Sequence, residues 1–356
     1  MIYRLPEIIS KEAIYYQVLP DLNKKYRYLK ANDHIAVSLT QTTRINSNAL
    51  PIFIGALSIL KKASGYPVYI ELTYNPKFLA FLDTIGFFST LSKYGIIKYN
   101  EDYIGGFSDY NYNKKNKILA YVPIEYYESK FKEKKQEIRD LLAEKIRGDL
   151  FSSSLFNRNT TPINNDELWD VTMIAATELI VNAMVHSGSM SYTYIQSGIN
   201  FKKTRKGHLL SIVDVGRGFY KSLGEKIEKC DEYTQKQREE FYFHARKIGI
   251  DVSKEINYLS IMEALYFSQL QDRYINLFKL KNLLAISHAN FRIHNYNREV
   301  AFSYEHCSSC TDRDILHCVE CVWRRNKEQR SPLKNYPVAM AGVHIEVEFI
   351  QEKQDV

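Results

Sequence analysis

One helix-length segment constrains the fold more than any other part of the sequence. Asn164-Asn165-Asp166-Glu167 offers a helix cap with an acid three residues on, and an apolar-periodic run follows from Leu168 to Val185. Gly188 lies just past the run, where a left-handed residue commonly ends a helix. These signals predict one long helix with a defined start and end.

Three polar residues follow one face of this predicted helix. Glu178, Asn182 and His186 lie at i, i+4 and i+8 among apolar side chains. Burying a carboxylate, an amide and an imidazole without partners is costly, so something should satisfy them. Mg2+ takes oxygen ligands such as an Asn carbonyl, and a nearby Glu can orient or deprotonate a water. The plainer alternative is a polar stripe that faces solvent or another domain.

A second motif follows at the end of a predicted strand. The segment from His208 to Asp214 has the composition of a strand that ends at an acid, and Gly216 and Gly218 then permit a tight turn with close backbone approach. An Asp at a strand end that faces a glycine floor can accept a hydrogen bond from an adenine amino group. Taken alone, this string is also compatible with an ordinary turn.

Together the two motifs resemble those of a known superfamily. Glu-x-x-x-Asn-Ala-x-x-His followed by Asp-x-Gly-x-Gly is similar to the N box and first glycine box of the GHKL ATPases, which include gyrase-type topoisomerases, mismatch-repair ATPases, histidine kinases and anti-sigma kinases. The resemblance extends from roughly Asp166 to Ile350. It implies an α+β two-layer sandwich, with helices on one face of a mixed sheet, that binds ATP and Mg2+.

The same resemblance implies roles for single residues. In the nucleotide site that it implies, Glu178 is the catalytic base, Asn182 is the Mg2+ ligand, and His186 belongs to the same box. Asp214, beside Gly216 and Gly218, binds the adenine amino group.

The chain departs from this family downstream, where a second glycine-rich box normally closes a lid over the phosphates. Ser260 to Leu265 and Leu277 to Leu284 have the periodicity of the helix after that lid, but the lid glycines do not precede them. Backbone amides at a helix N-terminus can hold phosphates, with charge supplied by Arg273, Lys279 or Lys281. The plainer alternative for these cations is a solvated helix surface.

Four of the five cysteines form two Cys-x-x-Cys knuckles. Paired knuckles present four thiolates to one tetrahedral ion, and cytoplasmic reducing conditions argue against disulfides. We therefore predict a structural Zn2+ in a knuckle at 305–325, inserted between strands Glu299 to Tyr304 and Val343 to Ile350, the second of which alternates like a half-buried edge strand. Redox chemistry is the rival, and His306 or His317 can replace one thiolate. The predicted zinc ligands are Cys307, Cys310, Cys318 and Cys321.

Strands and helices alternate in the N-terminal third. The sequence predicts strands at His34 to Leu39 and Val68 to Leu72, and helices at Asn48 to Lys62 and Pro76 to Ile85. This alternation implies a small α/β layer that is similar to a STAS domain, the fold of anti-anti-sigma factors. In that resemblance the turn at Ser47 occupies the place of a phosphorylatable serine, and a helix cap is the plainer alternative.

The densely charged segment from Tyr126 to Arg147 predicts an exposed helix, either a linker or a dimerising arm. We therefore expect an α/β protein with a STAS-like domain at 1–125, a charged helical linker at 126–160 and a GHKL ATPase-like domain at 161–356. The arm makes a homodimer one of the assemblies to test.

Composition narrows the class of protein. A content of 45% hydrophobic and 25% charged residues is ordinary for a soluble globular protein. We find no apolar run of membrane-spanning length and no signal-peptide pattern after Met1, which predicts a cytoplasmic protein without a membrane partner. The net charge of +7 is modest, and basic tracts such as Arg324 to Arg330 fit a solvated surface more simply than a nucleic-acid site.

From these patterns we expect an ATP-binding regulatory protein, either a GHKL-type ATPase or a serine-kinase-like switch, coupled to a STAS-like module and to protein partners. A self-contained histidine kinase is disfavoured, because we find no dimerisation helix with a phosphoacceptor His beside an acid ahead of the first motif. The alternative is a non-catalytic protein with a degenerate nucleotide pocket that binds protein or nucleic acid through its zinc knuckle.

Overall fold

Helices and strands alternate through the described residues, which in the computed structural model are 2–25, 33–105, 116–130, 135–152, 166–201, 205–229, 233–271, 275–304, 314–329 and 331–351. The strands are β1 (Ile2–Arg4), β2 (Ile8–Ile9), β3 (Ala36–Ser38), β4 (Arg44–Ile45), β5 (Val68–Glu71), β6 (Ile97–Lys98), β7 (Asn116–Tyr121), β8 (Ser191–Phe201), β9 (Arg205–Asp214), β10 (Ala289–Phe302) and β11 (Leu333–Gln351). The α-helices are α1 (Lys11–Ala13), α2 (Leu19–Lys25), α3 (Leu50–Ser64), α4 (Pro76–Thr84), α5 (Phe87–Lys93), α6 (Ile124–Lys130), α7 (Lys135–Ser152), α8 (Asp166–His186), α9 (Gly218–Lys229), α10 (Gln235–Lys247), α11 (Ile256–Gln269), α12 (Leu277–Ile286) and α13 (Ile315–Arg324). Within these ranges we find no helix with the length and apolar character needed to cross a membrane.

The N-terminal unit, residues 2–105, is built on a parallel four-stranded sheet in the order β1-β3-β5-β6. Parallel neighbours need crossover connections, which α1 with α2, α3, and α4 with α5 provide. Gly65, at φ 78°, ends α3, and Asn75 caps α4 by accepting backbone N–H bonds. The predicted alternation of strands and helices is confirmed, although β3 is shorter than predicted. The STAS resemblance stays a prediction.

The second sheet has the strand order β10-β11-β9-β8-β7, and all of these pairings are antiparallel. The predicted mixed sheet is therefore wrong. The strand predicted at Val343 to Ile350 lies within β11, but it is not the half-buried edge strand that its alternation predicted. β11 lies between β10 and β9, and its polar residues His344 and Glu346 are buried. Since β7 pairs with β8, this sheet begins inside the range 1–125 that the sequence assigned to the N-terminal domain.

The antiparallel sheet is covered on both faces. On one face α8, α11 and α12 pack around a core that includes Leu179, Ile212 and Val347. On the other face α3 and a π-helical turn at Ile14–Val18 pack against β8, β9 and β11, sharing a core with Val213. The α/β class is confirmed. The predicted two-layer sandwich gains a third layer, the N-terminal unit.

Helix α7 is not the exposed linker that its charge predicted. Ile138, Leu142 and Ile146 follow one another at intervals of four residues and are buried in the same core as α8. Charged residues such as Glu137 and Glu144 occupy the exposed face. The many charged residues of this segment made its apolar stripe, which packs α7 on α8, difficult to recognise from the sequence.

A cluster of polar and charged side chains, most of them buried, joins the N-terminal unit to β10 and β11. This interface cluster consists of Lys11, Tyr15, Arg292, His294, Glu299, Tyr336 and Glu346. Lys11 forms an ion pair with Glu299 and lies 3.5 Å from Glu346. The Tyr15 hydroxyl is 3.0 Å from His294 Nδ1. Charged and aromatic side chains therefore fix the two layers against each other.

Candidate functional site

The polar stripe of α8 lines a cleft. Glu178, Asn182 and His186 are each half-buried on its wall. Asp214 at the end of β9 and Gly218 at the start of α9 line the same cleft. Its cavity volume is about 110 Å³, with further space that opens to solvent, so a nucleotide-sized ligand would extend into the open part of the cleft. The structure thus brings the two sequence motifs together.

Asp214 is the most deeply buried acid of this cleft, with 6% of its surface exposed. Burial raises the pKa of Asp214 to about 7, although backbone N–H groups of Gly216 and Val343 donate to its carboxylate and favour the charged form. The bond from Gly216 N to Oδ1 is 2.9 Å long. The backbone therefore orients the Asp214 carboxylate, and Asp214 lines the cleft.

Glycines allow three backbone segments to meet at Asp214. A Cβ on Gly216 would lie 2.0 Å from the carbonyl oxygen of Ser187, just after α8. Gly218 has φ 69°, and a Cβ there would lie 2.6 Å from a neighbouring tyrosine ring. In β11, Gly342 has φ 92°, and its Cβ would lie 2.0 Å from the Asp214 carbonyl oxygen. Larger residues would force the glycine loop, α8 and β11 apart.

Arg139 of α7 reaches two residues of the α8 stripe. Its Nη2 donates to Glu178 Oε1 and Oε2 at 3.2 Å and 3.4 Å, and to Asn182 Oδ1 at 3.3 Å. Asn182 Nδ2 donates to Glu178 Oε1 at 2.9 Å. One cation, one amide and one carboxylate therefore form a closed hydrogen-bonded group on the cleft wall.

The remaining walls come from the region where the sequence lacks the second glycine box. Phe219, Ser222 and Lys226 of α9 line the cleft, and the Lys226 ammonium lies 4.2 Å from the centroid of the Phe267 ring on α11. Asn276 caps α12 by accepting the N–H of residue 279 at 2.9 Å, and it too lines the cleft. Helices α9, α11 and α12 thus enclose the space.

The cations predicted for phosphate binding are placed differently. Arg273 lies outside the described residues. Lys281 is buried and donates to Cys318 Sγ at 3.4 Å, so both of its predicted roles, phosphate ligand and solvated cation, are wrong. Lys279 does not line the described cleft walls, whereas Lys226 does. Gly218, Ser222 and Lys226 recur every four residues, and that spacing is the signal that could have indicated Lys226.

The predicted zinc ligands are described only in part. Cys307 and Cys310 lie outside the described residues. Cys318 and Cys321 are on α13, and Cys321 Sγ lies 3.3 Å from His317 Nε2. In the ranges that the structure covers, we find no group of three or more His, Cys, Asp or Glu side chains that could hold a metal ion. The zinc site stays a prediction.

The N-terminal unit contacts the strand end that carries Asp214. A Cβ on Gly55 of α3 would lie 3.1 Å from Val213 Cγ2 and 3.5 Å from Val215 Cγ1, so α3 packs tightly on the two neighbours of Asp214. Ser47, just before α3, is half-buried and donates to Gln196 Oε1 on β8. The turn with the predicted phosphosite thus faces the second sheet.

Comparison of the chain with protein-family models, curated proteins and solved structures finds no match. The interpretation of the cleft therefore depends on its own residues. The Asn182 and Glu178 oxygens are hard donors of the kind that Mg2+ prefers, and the Asp214 carboxylate is an acceptor suited to an amino group. The Arg139 guanidinium, which the sequence motifs did not predict, donates to these Asn182 and Glu178 oxygens.

Proposed function

We propose that this chain is an ATP-binding regulatory protein whose cleft holds Mg2+-ATP. The observation that carries the proposal is the convergence of Glu178, Asn182, Asp214 and Gly218 on one cleft from α8, β9 and α9. A polar stripe that only faced solvent would not be expected to lie beside a buried acid and a glycine loop from another part of the chain.

Each end of the nucleotide has a partner in this proposal. Asp214 accepts a hydrogen bond from the adenine amino group, and Asn182 offers its carbonyl oxygen to Mg2+. The metal neutralises phosphate charge when bound. Lys226 and the capped N-terminus of α12 add positive potential on the cleft wall. Glu178 can take the proton of an attacking water, which would make the chain an ATPase, or the proton of a partner's serine hydroxyl, which would make it a serine kinase.

Ligand-induced stabilisation tests binding. Mg2+-ATP at a hundred times its Kd should add roughly 2.7 kcal/mol to the free energy of unfolding, and the melting temperature of the full chain should rise with nucleotide concentration. An unchanged melting temperature at saturating Mg2+-ATP would contradict the proposal.

Phosphate release tests catalysis separately. If the chain hydrolyses ATP, Glu178→Gln should lower the rate by roughly a hundredfold or more, because it removes the proton acceptor. Glu240→Gln, at an exposed position of α10, is the matched control. Phosphate release at the wild-type rate in Glu178→Gln would mean that Glu178 is not the base. ATP binding with no phosphate release above background from the wild type would mean that the chain acts as a nucleotide sensor.

We further propose that the nucleotide state is coupled to the N-terminal unit as a STAS-like module. The contact of α3 with Val213 and Val215 supports this, because it lies directly beside Asp214. A nucleotide can change that contact only by binding two states with different affinity. Hydrogen exchange along α3 should therefore differ with and without Mg2+-ATP, and identical exchange would remove the coupling.

We also propose that the chain binds a structural Zn2+, with Cys307, Cys310, Cys318 and Cys321 as ligands. The buried Lys281 ammonium beside Cys318 is compatible with a thiolate at that position. Metal analysis of the purified chain should give one zinc per chain, and Cys318→Ser with Cys321→Ser should remove it. A metal-free wild-type chain that is fully folded would contradict the zinc site.

One observation favours a second candidate function. Arg139 already donates to both Glu178 and Asn182, as would be expected of a degenerate pocket in a non-catalytic interaction protein. In this candidate function the chain would bind a protein or nucleic-acid partner through the zinc knuckle and α13, where Arg324 is exposed. Loss of nucleic-acid binding in Arg324→Ala with Arg325→Ala, together with no response to ATP, would favour this candidate.

A further inference from the structure

Arg139 fixes how two residues of the proposed site are oriented. The Asn182 carbonyl oxygen faces the guanidinium at 3.3 Å, and the Asn182 amide nitrogen faces Glu178 Oε1 at 2.9 Å. The Glu178 carboxylate accepts from the same Arg139 nitrogen with both of its oxygens. The guanidinium therefore lies on the oxygens to which the proposed function assigns metal binding and proton transfer.

A magnesium ion and this guanidinium need the same oxygens. Mg2+ binds oxygen ligands at about 2.0–2.1 Å and demands near-octahedral geometry around itself. The Arg139 and Glu178 side chains are only 16% and 17% exposed, so water screens charges weakly there. A divalent cation on Asn182 Oδ1 would be strongly repelled by a guanidinium on the same atom. Metal binding is thus linked to departure of the Arg139 head group.

Helix α7 can stay in place while that head group moves. Ile138, Leu142 and Ile146 hold α7 in the core independently of Arg139. The arginine stem has several rotatable bonds, and its head group lies beside the cleft. Movement therefore costs the ion pair and its hydrogen bonds and leaves the helix packing intact.

We propose that Arg139 is a positioning residue that competes with Mg2+ for Asn182 and Glu178 and so sets the magnesium requirement of nucleotide binding. This inference rests on the proposed function. It assigns to α7 the control of when the site accepts metal, because the ion pair that must break joins α7 to α8. A chain without the guanidinium would bind the metal-nucleotide complex at lower Mg2+.

Full-length wild-type chain and three variants test the competition. Arg139→Met keeps the stem and removes the charge, Arg139→Lys keeps the charge, and Arg147→Met, on the exposed face of the same helix, is the matched control. For each, the Kd of a non-hydrolysable ATP analogue is measured by calorimetry with excess Mg2+ and with EDTA. The ratio of the two constants is compared, so a change in global stability alone does not move the readout.

In Arg139→Met the gain in affinity from Mg2+ should exceed that of wild type by roughly fivefold or more, the lower range of allosteric couplings. Arg139→Lys should lie closer to wild type, and Arg147→Met should equal it. An unchanged ratio in Arg139→Met, or a loss of analogue affinity with and without Mg2+, would overturn the competition; the second result would make Arg139 a phosphate ligand. If the wild type binds no analogue in either buffer, the proposed function fails and the inference falls with it.

Discussion

Two charged groups of this molecule are similar in composition and differ in what surrounds them. In the interface cluster, the Lys11 and Glu299 side chains are 5% and 1% exposed and are enclosed by two packed layers. On α8, the Arg139 and Glu178 pair is partly exposed beside a cleft. An ion pair enclosed by packing can only hold layers in register, whereas a pair beside open space can exchange partners with a ligand.

The buried acids of the two regions differ in the same way. Burial tends to raise the pKa of Glu299, but Lys11 outweighs it by attraction and hydrogen bonding, so the pKa of Glu299 is lowered. Burial dominates at Asp214 and raises its pKa to about 7. An acid paired with a cation stabilises the fold. A buried acid beside a cleft, held only by backbone N–H groups, instead lowers the stability of the fold when it is ionised, and a hydrogen bond from a bound ligand can offset that loss.

Removing the cation of the interface cluster should give the largest effect. Lys11→Met leaves the buried carboxylates of Glu299 and Glu346 without their lysine, and we expect a loss of about 3–5 kcal/mol in the free energy of unfolding. Lys334→Met is the control, because Lys334 is 54% exposed and 3.9 Å from Glu299, and it should cost less than about 1 kcal/mol. Urea denaturation measures both, and equal losses would mean that the cluster does not hold the layers together.

Asp214→Asn should have the opposite sign. Because its folded pKa is raised, Asp214 contributes stability that is present below the unfolded value of 3.8 and is lost as pH rises through about 7. At about pH 8 the neutral amide should therefore add on the order of 2 kcal/mol to the free energy of unfolding while nucleotide binding is lost. Asp102→Asn, at an exposed position, should change neither. A destabilised Asp214→Asn chain would contradict the conclusion that burial disfavours the ionised Asp214 carboxylate.

The pH profile of stability tests the buried histidines. Burial lowers the pKa of His208 to about 4 and that of His294 to about 3. Each stays neutral in the fold while the unfolded chain takes up a proton near pH 6.5, so stability should fall between about pH 6.5 and 4, by about 1.4 kcal/mol per pH unit for each histidine. Asp214 offsets part of this fall. His294→Gln should flatten the profile, and an unchanged slope would place His294 in solvent contact.

Ser47→Ala should give the smallest effect. It removes the hydrogen bond to Gln196 between the two layers, and we expect a loss of about 0.5–1.5 kcal/mol. Ser89→Ala, whose hydroxyl bonds the Gly86 carbonyl at an exposed site, is the control. Intact-mass analysis after incubation with ATP and cognate partners tests phosphorylation on the same residue. No phosphate on the Ser47 peptide would leave only the plainer role of a polar residue in the turn before α3.

The parts of the site that the sequence predicted are those governed by local spacing. The intervals between Glu178, Asn182 and His186 predict a shared helix face, and an acid followed by glycines predicts a strand end with a tight turn. The cleft lined by Glu178, Asn182, His186, Asp214 and Gly218 agrees with both. Local spacing also predicted the helix–strand alternation of the N-terminal unit, because crossover connections are close in sequence.

Contacts between distant segments could not be predicted. Nothing near Arg139 indicates that it meets Glu178, because the surrounding charges hide the apolar stripe of Ile138 and Leu142. The alternation of β11 correctly predicts a strand but not its place, since β11 lies inside the sheet and its polar residues His344 and Glu346 are buried rather than solvated. Gly342 is required by the close approach of the Asp214 carbonyl, which only the sheet register creates.

The most direct test of the proposed nucleotide site is which base it prefers. Calorimetry at about pH 8, where Asp214 is ionised, compares Mg2+-ATP with Mg2+-ITP, which carries a 6-oxo group in place of the amino group. We expect ATP to bind roughly a hundredfold more tightly, because the 6-oxo group of ITP repels the carboxylate where the amino group of ATP donates to it, and the N1–H donor of ITP lies one ring position away. Equal affinities would contradict the assignment of Asp214 as the adenine acceptor, and binding of neither nucleotide would contradict the nucleotide site itself.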